Sequence, residues 1–155
     1  MANGMDFKKL HRLITIYRVV QVVLLALLVF MAFMFQAQYR AKGMPQIFLN
    51  SIVASFVIQL LLFYPVNRFA RGEAENEIAA SAPGLTVEQQ KALRQKRIFN
   101  DFLKAAAFIF FVTFALRAPG VLFVQSTILF SFILTALSYL QCHNYALKRE
   151  LANKP

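Results

Sequence analysis

One cysteine in 155 residues, Cys142, excludes an intrachain disulfide and a cysteine-rich metal site. At the edge of an apolar segment it is expected to be an inert packing residue rather than a palmitoylation site. Histidine is almost as scarce. His11 and His143 are the only two, and each sits among charged and amide neighbours in the sequence. That setting argues against a haem b held between two imidazoles deep in apolar helix. A Gly-rich phosphate loop, a paired nucleophile and base, and clustered metal ligands are all missing. No cofactor is expected, and no enzyme, including one acting on lipid, because an acid–base pair at matching depth cannot be assembled. Acidic residues number 7 against 17 Lys and Arg.

What is abundant is apolar. The hydrophobic fraction is 59 % with 17 Phe, against about 45–50 % in a soluble domain. Uncharged runs of about 18 or more residues read as membrane spans. Residues 13–37 form the first, and residues 40–45, Arg-Ala-Lys-Gly-Met-Pro, end it. Arg18, near its start, reads as a snorkelling interface residue. Residues 47–66 form the second span, with Pro65 in its last turn. From Ala105 to Leu140, Arg117 carries the only formal charge. As one helix that block would extend ~54 Å, nearly twice a ~30 Å hydrocarbon core. It must therefore cross twice, turning at Ala118, Pro119 and Gly120, the only turn signal it has.

The N-terminus mimics a signal peptide in charge order, but its apolar run is too long and no small-residue cleavage site follows, so it reads as a retained span. Gly4 is not at position 2, so no myristoylation signal is present. Basic residues give the orientation. Lys8, Lys9, Arg12 and Arg18 flank the first span. Arg68, Arg71, Lys91, Arg94, Lys96, Arg97 and Lys104 lie in the middle segment, and Lys148, Arg149 and Lys154 in the tail. The short turns hold only Arg40, Lys42 and Arg117. The positive-inside rule places both termini and the middle segment in the cytoplasm. The net charge of +10 then reflects topology and anionic lipid, not nucleic acid, since no basic face interleaved with stacking aromatics stands outside the spans.

The expected fold is an all-α integral membrane protein. A first hairpin with a basic flank (residues 1–67) and a second hairpin with a basic tail (98–155) are joined by a cytoplasmic loop and helix (68–97). Thr86 followed by Gln89 fits a capping box and starts a helix at Val87 that runs without a breaker to Pro119. Residues 71–80 briefly extend the second helix. Sliding 31–73 onto 108–150 aligns Arg40-Ala41-x-Gly43 with Arg117-Ala118-x-Gly120, and Asn67 with Asn144. The match suggests a duplicated, parallel hairpin.

Two polar stripes run through the spans. Ser51, Ser55 and Gln59 recur every four residues beside Asn50, and Thr127, Ser131, Thr135, Ser138 and Cys142 line one side of the last span. Small hydroxyl residues at this spacing let membrane helices approach and hydrogen-bond. Asn50, Gln59 and Gln125 could instead line a pore, with a buried Arg117 as its charge. The turn echo favours Arg117 at the surface, with Asn100, Asp101 and Lys104 entering the interface, Lys104 snorkelling and paired with Asp101 one turn away. Asp101 is read as the only acidic residue touching the membrane.

The function expected from these residues is that of a non-enzymatic multi-pass subunit, structural or accessory, packing with itself or other membrane proteins in a bacterial cytoplasmic membrane. An oligomeric channel or small-solute transporter is the alternative. Lys91, Arg94, Lys96 and Arg97 are the candidate contacts for a soluble partner or anionic headgroups.

Overall fold

A computed structural model describes residues 7–118 and 120–152. Gly4, Pro119 and Lys154 lie outside the described residues. The order is α1 (Phe7–Ala41), α2 (Pro45–Ala80), α3 (Val87–Arg117) and α4 (Leu122–Ala152). All four are long and apolar enough to cross a membrane.

Local chemistry sets the ends of these helices. Gly43 turns the chain between α1 and α2 at φ 69°, a left-handed conformation that disfavours a Cβ. Met44 N–H donates to the Tyr39 carbonyl there at 2.9 Å. Pro45 opens α2, where its missing N–H costs nothing. The helix continues through Pro65 and on to Ala80, so the acidic stretch after Gly72 belongs wholly to it. Ser81 closes α2 by donating to the Glu77 carbonyl at 2.9 Å. The capping box then starts α3: Gln89 N–H donates to Thr86 Oγ1, and Thr86 N–H donates to Gln89 Oε1. The segment 68–97 is thus two helical arms around the short turn 81–86.

α2 and α4 make the most extensive contact in the bundle. They run parallel, with Ser55 reaching the Thr127 backbone and Gln59 reaching Ser138 further along both helices. α1 is antiparallel to them: Tyr39 bonds Ser126, whereas Tyr17 stacks on His143. One apolar cluster joins Phe35, Tyr39, Leu122 and Phe130 at the Arg117 end of the bundle. Another joins Leu10, Ile14, Ala74, Ile78, Ala146 and Leu147 at the Ser81 end. α3 is peripheral. It contributes no buried residue and touches α4 through Phe108 and Phe111 against Phe132, at ring separations of 5.9 and 5.1 Å.

The close approach of α2 and α4 depends on small side chains. Ser51, Ser55 and Ser126 are 0 % exposed, and the Ser55 hydroxyl lies within reach of the Ser51 and Thr127 carbonyls at 2.7 and 3.2 Å. Adding methylenes to such a contact costs about 1–3 kcal/mol through forced shifts. We expect Ser55→Leu to lower thermal stability in detergent by that order, while Val57→Leu on the exposed side of α2 leaves it unchanged. Equal midpoints for the two variants contradict this packing.

Candidate functional site

A polar cluster near the Ser81 end of the bundle draws on all four helices. Glu73 on α2 is its centre, 6 % exposed. A buried carboxylate is tolerated only when paired and hydrogen-bonded, and Glu73 is both. Lys104 of α3 donates to Glu73 Oε1 at 2.5 Å, and the Tyr139 hydroxyl of α4 donates to Oε2. Lys104 also pairs with Asp101 at 3.0 Å and lies 5.9 Å from the centre of the Tyr139 ring. Helical side chains lean toward the N-terminus of their own helix. In the antiparallel α2 and α3 that lean brings Glu73 and Lys104 toward each other.

His143 completes the cluster. It is 0 % exposed, with Tyr17 of α1 stacked on it at 4.8 Å and Tyr139 at 6.0 Å. Among the described residues neither of its ring nitrogens has a hydrogen-bond partner, nor does the buried Asn144 Oδ1. An unsatisfied buried polar atom costs about 1–3 kcal/mol. His11 is exposed, whereas His143 is buried against the rings of Tyr17 and Tyr139. Glu73 is far more buried within the bundle than Asp101, whose side chain is 58 % exposed.

The residues singled out from sequence distribute as follows. Ser51, Ser55, Gln59, Thr127 and Ser131 are buried, and Thr135 and Ser138 half-buried, along the α2–α4 seam. The Gln59 amide is held at both atoms: its Nε2 donates to Ser138 Oγ at 2.6 Å, and Thr135 Oγ1 donates to its Oε1 at 2.9 Å. Thr127 Oγ1 and Ser131 Oγ have no partner. Asn50 faces outward, exposed, and Gln125 is half-buried, so neither joins Gln59 in a common lining. Arg117 is the exposed last residue of α3. Lys91, Arg94, Lys96 and Arg97 are exposed on the first half of α3, where Arg97 approaches Glu77 at 3.6 Å.

Sequence reasoning missed Glu73, Tyr139 and Tyr17. A signal for Glu73 existed: with Ala70, Ala74 and Ile78 it forms one buried face of α2 at helical spacing, whereas Glu75 points away and is exposed. Among the described residues no group of three His, Cys, Asp or Glu is placed to hold a metal ion. Comparison with known proteins finds no matching family model, no similar curated protein and no similar solved structure.

The pair is tested by a double-mutant cycle. Removing one partner of a buried ion pair strands the other and costs about 3–5 kcal/mol; the partial exposure of Lys104 lowers the expectation to roughly 2–3 kcal/mol. Lys104→Met should lose that much stability. Glu73→Gln combined with Lys104→Met should recover at least half of it. Strictly additive losses contradict coupling between these side chains.

Proposed function

We propose that the protein is a non-enzymatic multi-pass membrane subunit that packs with a second copy of itself or with other membrane proteins. Its helices span in two hairpins, and both termini and the turn 81–86 face the cytoplasm of a bacterial cell. The observation that carries this reading is α3. This helix of 31 residues is apolar enough to span, yet none of its side chains is buried. Phe102, Phe110 and Phe114 are 68, 60 and 53 % exposed. Among the described residues α3 meets α2 through the Lys104–Glu73 and Arg97–Glu77 pairs and α4 through Phe108 and Phe111, and it presents an aromatic surface suited to a neighbouring transmembrane helix. Basic residues concentrated around the Ser81 end support the orientation. In that frame Lys104 reaches the interfacial pair with Glu73 while Arg117 emerges at the opposite surface.

The polar seam supports packing over conduction. A pore requires polar groups facing a shared lumen, whereas both functional atoms of the Gln59 amide are engaged between α2 and α4 and Asn50 faces outward.

A photo-crosslinking amino acid at Phe102 or Phe110, activated in native membranes, should yield discrete protein–protein adducts. Val22, exposed on α1, serves as a comparison site. If α3 positions give only lipid adducts and the protein is monomeric in mild detergent, the subunit reading fails.

A further inference from the structure

We propose that the groove between α1 and α4 at the Ser81 end binds the phosphate of an anionic glycerophospholipid from the surrounding leaflet. The proposal rests on the membrane reading above and deepens it by assigning a headgroup to a site. The groove is bounded by Arg18 on α1 and Lys148 on α4, with Ile14 and Leu151 forming an apolar floor and Thr15 and His11 on its wall. Among the described residues no carboxylate lines it. Both cationic side chains are exposed and form no ion pair among the described residues. Two basic residues elsewhere are compensated: Lys104 is neutralised by Glu73 and Asp101, and Arg97 approaches Glu77.

Geometry brings these two charges together. α1 and α4 are antiparallel, and helical side chains lean toward the N-terminus of their own helix. The Arg18 side chain therefore leans toward Ile14 and the Lys148 side chain toward Asn144, each closing on the other. A guanidinium and an ammonium converging over an apolar floor, with no competing acid, suit a phosphodiester better than a carboxylate-bearing peptide. Arg supplies a bidentate fork and Lys a point charge, the usual pairing for phosphate.

The depth suits a lipid. Arg18 precedes Arg40 by 22 residues, ~33 Å of helix, close to the ~30 Å hydrocarbon thickness. With Arg40 at one membrane surface, Arg18 lies at the headgroup level of the other. Beneath it on the same face of α1 run Val22, Leu25 and Val29, at 62, 50 and 54 % exposure. That apolar stripe continues from the cationic groove into the membrane and forms a bed for an acyl chain. A soluble anion would use the charges and leave the stripe bare.

The experiment uses the full-length protein in nanodiscs containing either phosphatidylcholine alone or a mixture with phosphatidylglycerol. Native mass spectrometry after ejection from the disc reads the retained lipid. The wild type should keep one phosphatidylglycerol in preference to phosphatidylcholine. Each surface Lys or Arg contributes about 1 kcal/mol toward an anionic lipid, so the double variant Arg18→Gln with Lys148→Gln should weaken retention by roughly tenfold or more. Arg68→Gln, the same charge change on an exposed residue of α2, should leave retention unchanged. Equal retention of the two lipids overturns the proposal. So does an equal loss in Arg68→Gln, which indicates general attraction to charge, or displacement of the lipid by millimolar inorganic phosphate. Alkaline extraction of the same membranes separates the two failures: a chain that is washed off contradicts the membrane reading itself, whereas an embedded chain without lipid preference contradicts only this site.

Discussion

The buried carboxylate of Glu73 sets the terms for much of this bundle. An anion taken out of water demands compensation on the scale of several kcal/mol. Here compensation comes from two other helices, through the Lys104 ammonium and the Tyr139 hydroxyl. Tyr139 also adjoins His143, which in turn packs on Tyr17, so one charge indirectly organises a contact involving α1, α2, α3 and α4. α3 also meets the bundle at the Arg97–Glu77 approach and where Phe108 and Phe111 adjoin Phe132.

The bundle is correspondingly uneven. Serine-rich faces let α2 and α4 come close and bond across their contact, and α1 closes over them through two apolar clusters. Hydrogen bonds across such seams contribute modestly, about 0.6–2 kcal/mol each, so close packing carries much of the helix association. α3 stands outside this arrangement with its aromatic residues turned outward.

Much of the architecture was legible in the sequence, and for physical reasons. Uncharged length announced the helices, the Thr86–Gln89 capping box marked the start of α3, and the four-residue recurrence of Ser51, Ser55 and Gln59 identified the buried face of α2. The polar cluster was not legible because its members are far apart in the chain and ordinary in their local context. Glu73 sits in an acidic run that reads as solvated, and only the continuation of α2 past Pro65 carries it onto the buried face. His143 lies between Cys142 and Asn144, a setting that conceals the aromatic rings contributed by Tyr17 and Tyr139. Asn50 failed to join the polar seam for the opposite reason: one residue before Ser51, it is rotated about 100° around the helix and faces outward.

The central claim is that Glu73 fixes α3 against α2. Spin labels on cysteines placed at Glu75 and Lys96, both exposed, in a background lacking Cys142, report the separation of these helices by double electron–electron resonance. The account predicts one narrow distance distribution that broadens or shifts when Glu73→Gln is added while α-helical content is retained. An identical narrow distribution in both proteins would contradict it.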